Sequence, residues 1–233
     1  MNIALLGYGK MGKSIEVIAL ERGHTITLKT TSTTTKFDFS NTDVAIDFSL
    51  PSTAVENITK ALNANIPVIS GTTGWLNHYD AITAHCTSKN GAFLYASNFS
   101  LGVNIFFEIN SKLSQLMSKV EGYTAVIEEI HHTQKLDAPS GTAISLAEQI
   151  IALTNYKSFT LKDAKENEIQ IDAKRIKDVP GTHEVSYISN IDTISLKHTA
   201  HSRKGFAMGA LIAAEWIKDK KGIFTMKDVL NIG

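Results

Sequence analysis

Short apolar runs alternate with stretches of helical spacing through the N-terminal part of the chain. Residues 2–6 (NIALL) read as a buried strand closed by Gly7, and Ile15, Ile18 and Ala19 then recur at helical spacing until Gly23-His24 interrupts them. Residues 25–28 predict the next strand. Residues 43–48 (DVAIDF) predict another, and Pro51 after it suits the first turn of a helix through Ala54, Ile58 and Leu62. A strand over 66–69 delivers Gly71-Thr72-Thr73-Gly74. A helix over 78–88 and a strand over 92–95 lead to Ala96-Ser97-Asn98-Phe99. Strands separated by helices in this way indicate a doubly wound parallel sheet, in which ligands bind beyond the carboxyl ends of the strands. GTTG and ASNF both occupy such ends.

The pattern changes after residue 101. A helix over 103–117 leads to an apolar strand over 122–130, then a loop, then helical spacing through Ile144, Ala147, Ile150 and Ile151. Strand-like runs follow at 169–176, 183–189 and 193–198, with Pro180-Gly181 and Asn190-Ile191-Asp192 as turns. Strands in succession predict an antiparallel or mixed sheet, hence a second, α+β domain joined to the first near 99–102. Residues 156–168 are polar and read as a surface excursion. Residues 207–217 form a last apolar helix.

Composition narrows the function classes. The chain has 233 residues, 43% of them hydrophobic, enough for one large domain or two small ones. Acidic and basic residues balance at 23 each, which points to neither nucleic acid nor an anionic membrane as partner. Cys86 is the single cysteine, so no internal disulfide forms and a reducing cytosol fits. No apolar run approaches the roughly 20 residues of a membrane span. The first strand begins at once, leaving no room for a signal peptide. The cytoplasm is the expected location.

Two stretches carry chemistry. Gly7-Tyr8-Gly9-Lys10-Met11-Gly12 is G-x-G-x-x-G between a strand and a helix, the dinucleotide fingerprint. Gly7 permits the turn, Gly9 lets the backbone approach a pyrophosphate, and Gly12 allows close packing. An acid is expected about 20 residues later to meet the adenosine ribose; Lys29-Thr30-Thr31-Ser32 stands there instead. A lysine among hydroxyls favours a 2′-phosphate, whereas a plain solvated loop would favour neither cofactor. The second stretch is 128–143 (EEIHHTQKLDAPSGTA), a strand end, a loop and a helix start. Ser140 is a plausible N-cap, and the N–H groups of Gly141 and Thr142 would attract a carboxylate. Lys135 adds a fixed cation, and His131 and His132 can exchange protons near neutral pH. A histidine pair is often only a core-edge feature, but capping alone requires neither His131 nor Lys135. A shared metal is disfavoured because neighbours on a strand point to opposite faces; no metal is expected.

The run HHTQKLDAPSGTA resembles the pattern HHxxKxDxPSGTA of the dihydrodipicolinate reductase (4-hydroxy-tetrahydrodipicolinate reductase) family, with every specified position present. HTAHSRKGFAMGA at 198–210 resembles the family's HxAxSRxxFAxGA segment, and GTTG and ASNF resemble its cofactor loops. The resemblance covers essentially the whole chain. It implies a Rossmann-type dinucleotide-binding domain (1–101 with 205–233) and an α+β substrate and oligomerisation domain (102–204) with a mixed sheet. It implies NADPH- or NADH-dependent reduction of a cyclic dicarboxylated imine with loss of water, in diaminopimelate and lysine synthesis. His131 would be the general acid/base, Lys135 a proton donor, and His132 a substrate contact. Ser140, Gly141 and Thr142 would bind the substrate's carboxylate. The fingerprint residues, Lys29, Gly71, Thr72, Thr73 and 96–99 (Ala96, Ser97, Asn98, Phe99) would hold the cofactor. An Arg203 fork suits a carboxylate and equally an interface or a plain surface position, and family members are typically homotetramers. The chain departs from the family in lacking the ribose-binding acid and in a shorter stretch between Lys29 and Asp43. Two rivals are another small-acid or semialdehyde dehydrogenase and a non-catalytic dinucleotide sensor.

Overall fold

The computed structural model describes residues 1–202 and 204–232. The chain divides into two compact units, Met1–Asn104 with Lys204–Gly233 and Ile105–Arg203.

In the first unit β1 (Asn2–Leu6), β2 (Thr25–Thr30), β3 (Val44–Asp47), β4 (Val68–Ser70) and β5 (Ala92–Tyr95) are parallel. Helices α1 (Lys10–Glu21), α2 (Pro51–Asn63) and α3 (Tyr79–Ser88) connect them. The C-terminal segment adds α6 (Lys204–Ile217), a sixth strand β11 (Gly222–Phe224) beside β5, and α7 (Met226–Leu230). The sheet order is β11-β5-β4-β3-β1-β2. Both faces are covered, which is why the strands read as unbroken apolar runs. Ile3 and Leu5 pack with α1 and α6 through Ile15, Ile18, Ala210 and Ala214. Ala4 and Leu6 pack on the opposite face with Ile58, Leu62, Trp75 and Ile82. Strand β11 and helix α7 were not expected, since a strand of so few residues carries no periodicity to read.

The second unit begins within α4 (Leu101–Met117), followed by β6 (Thr124–His131) and α5 (Gly141–Leu153). Then come β7 (Ser158–Thr160), β8 (Glu168–Arg175), β9 (Gly181–Ile188) and β10 (Thr193–Ala200). The sheet runs β10-β9-β6-β8-β7, antiparallel on the β9 side of β6 and parallel on the β8 side, so it is mixed, as the succession of strands implied. Its core face carries Ala125, Ile127, Ile171, Val185 and Tyr187 under Phe106, Ala147 and Ile150 of α4 and α5. The polar stretch 156–168 is not wholly a surface excursion. Phe159 packs on this core and brings Ser158–Thr160 into the sheet edge.

Helix α6 also fixes a strand-end loop. A Cβ at Gly209 would fall on the carbonyl of Phe99, so only a hydrogen there lets α6 seat against the ASNF segment. Gly209→Ala should therefore cost about 1–3 kcal/mol, the usual penalty for overpacking. Urea unfolding measures it, and an unchanged midpoint would show that the Phe99 backbone yields freely.

Candidate active site

The glycine turn behaves as three different residues. Gly7 has φ +96°, and a Cβ there would strike the Phe48 backbone. A Cβ at Gly12 would strike the Gly7 carbonyl. At Gly9, by contrast, a Cβ would meet no described residue within 4 Å. Gly7 and Gly12 are thus required by the protein itself, and Gly9 leaves space for something else. The turn is anchored by Gly7 N donating to Thr30 Oγ1 at 3.1 Å and Tyr8 N donating to the Thr30 carbonyl at 2.8 Å. Gly9 caps α1 without a side-chain acceptor, so the first N–H groups of the helix are free to meet an anion. A cavity of about 420 Å³ opens beside Gly7, Tyr8 and Gly9 and extends past Thr31, Ser32 and Thr34 to Asn57 and Lys60. A second, of about 330 Å³, is lined by Gly9, Lys10, Met11, Gly71, Thr72 and Thr73, among others. The space at Gly9, the open helix start and the cavities fit a dinucleotide.

Asp47, at the end of β3, organises the neighbouring loop. Fully buried, it accepts hydroxyls from Ser49 (2.6 Å), Ser70 (2.8 Å) and Thr72 (2.8 Å). Burial pushes its carboxyl above the usual range while these hydroxyls pull it back. Thr72 Oγ1 also accepts from Ser49 N at 2.8 Å, so the GTTG loop is tied to the β3 end. Gly71 lies against the Phe48 ring, which contacts Phe99 at 5.6 Å between centroids. In the ASNF loop Phe99 is buried, Ser97 is exposed, and Asn98 Oδ1 accepts from Ser100 N at 2.9 Å.

Lys29 is placed otherwise than its sequence position implied. It is ion-paired with Glu16 of α1 and lies 4.9 Å from the centroid of the Tyr8 ring, whose hydroxyl donates to the same carboxylate. The bonds from Lys29 and Tyr8 hold Glu16 below the usual carboxylate range. Lys29 does not line the larger cavity, whereas the hydroxyl residues Thr31, Ser32 and Thr34 do.

In the second unit the sheet alternation puts an acid on the core face of β6. Glu129 follows Ala125 and Ile127, and all are fully buried. It accepts from His131 Nδ1, from Arg175 Nη2 at 2.9 Å and from Ser140 N at 3.3 Å. Burial works to raise its carboxyl, but the bonds from His131 and Arg175 outweigh it and hold the group below the usual range. Ser140 caps α5 as expected, accepting from Ala143 N at 3.2 Å. Its Oγ lies 3.0 Å from Nε2 of His183, whose imidazole burial pushes down to about 3. Gly141 and Thr142 form the first turn of α5, where helix geometry offers their N–H groups no intrahelical acceptor. Lys135 is paired with Asp137 at 2.7 Å, and this bond holds the Asp137 carboxyl low. His132 follows the last strand residue, and its carbonyl accepts from Lys135 N at 3.1 Å. Arg203 lies outside the described residues.

The ligand atoms of Glu129, His131 and His183 lie within 4.8 Å of one another, a set that could hold a metal ion. It includes His131 but not His132, the pair weighed from sequence as sharing an ion. The Arg175 guanidinium and the Ser140 hydroxyl already engage two of the three groups. Sequence reading missed Asp47, Glu129, Arg175 and His183. Each acid stands in an apolar strand, a signal that was available; the partners that neutralise them were not.

Family profiles described as dihydrodipicolinate reductase, C-terminus and N-terminus, match residues 102–230 and 21–99. The 4-hydroxy-tetrahydrodipicolinate reductase of Christiangramia forsetii is 56% identical over 99% of this chain and 98% of its own length. That of Rickettsia bellii is 35% identical over 98% and 94%. Among solved structures, a dipicolinate-bound dihydrodipicolinate reductase from Paenisporosarcina sp. TG-14 superposes with a TM-score of 0.79 at 19% identity, covering 97% of each chain. Aspartate semialdehyde dehydrogenase II from Vibrio cholerae shares the fold at a TM-score of 0.52 and 13% identity, over 92% and 97%.

Because no described residue fills the position of a Gly9 side chain, Gly9→Val should fold normally and lose affinity for a nicotinamide dinucleotide. Calorimetric titration of the folded variant checks this, and wild-type affinity would make the turn purely structural.

Proposed function

The chain belongs to the dihydrodipicolinate reductase family, and we propose that it reduces 4-hydroxy-tetrahydrodipicolinate to tetrahydrodipicolinate with NAD(P)H in the diaminopimelate route to lysine. The observation that carries this reading is the conjunction at the β6–α5 loop: a carboxylate-held histidine, a lysine and an open helix start within one short segment. A nicotinamide held by the first unit would supply hydride equivalents. In the net reaction the substrate's hydroxyl is lost as water after taking up a proton, and the ring carbon that bore it ends with a C–H bond.

The protein's residues handle the charge. The N–H groups of Gly141 and Thr142, capped by Ser140, hold one substrate carboxylate in the field of the α5 terminus. His131 is the general acid/base. Lys135, whose present partner Asp137 is mostly exposed and replaceable, supports proton transfer at the ring, and His132 contacts substrate. In the first unit the helix start at Lys10 and Met11 would receive the pyrophosphate, and the loops carrying Gly71, Thr72 and Thr73 and 96–99 would hold the nicotinamide end. The substrate-domain sheet supports homotetramer formation, since β6 leaves Val126, Glu128 and Ile130 partly exposed on the face away from the core. A cytoplasmic enzyme is the reading; among the described residues no helix is long and apolar enough to cross a membrane.

Turnover of enzymatically generated hydroxy-tetrahydrodipicolinate, followed at the NADPH absorbance, tests the activity. It also separates it from a semialdehyde dehydrogenase or a dinucleotide sensor, neither of which would consume this substrate. His131→Ala or Lys135→Ala should lower turnover by about 10²-fold or more, the scale of a positioned proton-transfer group. Cofactor affinity should be unchanged. Wild-type turnover in either variant removes that residue from the mechanism.

For the cofactor, NADPH serves at least as well as NADH. The loop lining the cavity offers the hydroxyls of Thr31, Ser32 and Thr34, the lining carboxylate of Glu56 is ion-paired with Lys60, and Lys29 acts indirectly by offsetting Glu16. Lys29→Glu would set two carboxylates side by side and repel the 2′-phosphate. It should lower kcat/KM for NADPH several-fold relative to NADH, with the gap narrowing at high salt. A wild type that clearly prefers NADH, or a ratio indifferent to Lys29→Glu, contradicts this.

A further inference from the structure

We propose that Glu129 and Arg175 are positioning residues that fix His131 as the Nδ1-protonated imidazole and present its Nε2 to the substrate. The inference rests on the functional reading above and extends it to residues outside the HHxxKxDxPSGTA run. An ionised carboxylate can only accept hydrogen bonds. Glu129 is held ionised by its donors, so the His131 Nδ1 bonded to it carries a proton. Proton exchange with substrate is then left to Nε2 alone.

Two further observations fit this tautomer. Gly181 of β9 is buried beside the ring, and a Cβ there would stand 3.1 Å from Nε2 and 3.3 Å from Cδ2. The missing side chain keeps the working edge of the imidazole clear. Arg175, opposite His131 in the parallel pairing of β6 and β8, binds more than Glu129. Its Nη2 also donates to the Asp137 carbonyl at 2.6 Å and its Nε to the Lys135 carbonyl at 3.3 Å. One guanidinium therefore sets the loop that carries Lys135 against the same carboxylate that orients His131.

The groups facing His131 come from four places. Glu129 is on its own strand, Arg175 on β8, and His183 on β9 with its ring centroid 5.0 Å away; Lys135 and Asp137 are in the loop. His183, kept neutral by burial, does not repel an imidazolium. Of the rest, Glu129 is the anion in direct contact with the ring, so it is the group that fixes which nitrogen carries the proton.

The test uses wild type, Glu129→Gln and Gly181→Ala of the full chain. Long-range 1H–15N NMR of ¹⁵N-histidine-labelled protein should show the His131 Nδ1–H tautomer in wild type and a loss of that preference in Glu129→Gln. In Glu129→Gln kcat should fall at least tenfold with little change in KM. Gly181→Ala should lower kcat with the Nδ1–H tautomer retained. If Glu129→Gln leaves Arg175 unpaired and does not fold, the double variant Glu129→Gln/Arg175→Met removes the buried pair together and is read instead. A tautomer unchanged from wild type in Glu129→Gln overturns the proposal, as does full kcat in Gly181→Ala. A wild type without turnover would refute the functional reading alone, since the NMR result stands independently of it.

Discussion

A carboxylate with no access to water must be compensated by its neighbours or give up its charge, and Glu129 is compensated by three donors from three elements. Leaving such a charge unpaired in an interior costs several kcal/mol, so the arrangement of those donors is strongly imposed. One is the histidine two residues along the same strand. One is the arginine that β8 brings alongside. The third is the backbone N–H of Ser140, the residue that caps α5. The end of β6, the loop and the start of the helix are thus drawn to one point. His131, the loop that carries Lys135 and the start of α5, the three parts of the proposed site, share that anchor.

The dinucleotide-binding unit uses the same device with different partners. Asp47 is also buried at a strand end, but its donors are hydroxyls rather than a cation. Its carboxyl is accordingly pushed up where that of Glu129 is held down. Hydroxyl donors suffice to tie the GTTG loop to β3 without bringing positive charge next to the loop proposed to hold the cofactor. A guanidinium is needed where the carboxylate has to stay ionised.

Much of this was legible in the sequence. The parallel strands stood out because burial on both faces turns them into apolar runs, and the α5 start stood out because Ser140-Gly141 is a capping sequence. His131, Lys135 and the G-x-G-x-x-G turn were readable because their neighbours in sequence are also their neighbours in space. What was hidden depends on pairing between distant segments. Glu129 and Arg175 are 46 positions apart and meet only through the β6–β8 register. Lys29 looked like a free cation because nothing local announces its bond to Glu16 on the preceding helix. His183 could have been found, since alternation through β9 sets it on the same buried face as Val185 and Tyr187.

The account centres on a substrate carboxylate seated at the α5 terminus beneath an imidazole whose Nδ1 is taken by Glu129. The most direct measurement is a crystal structure of the protein soaked with pyridine-2,6-dicarboxylate, a flat analogue of the substrate. The account predicts one carboxylate within hydrogen-bond distance of the Gly141 and Thr142 N–H groups. It also predicts His131 still bonded to Glu129 through Nδ1, with Nε2 turned toward the ring. A carboxylate bound elsewhere, or a His131 ring flipped to offer Nδ1 to the ligand, would contradict it.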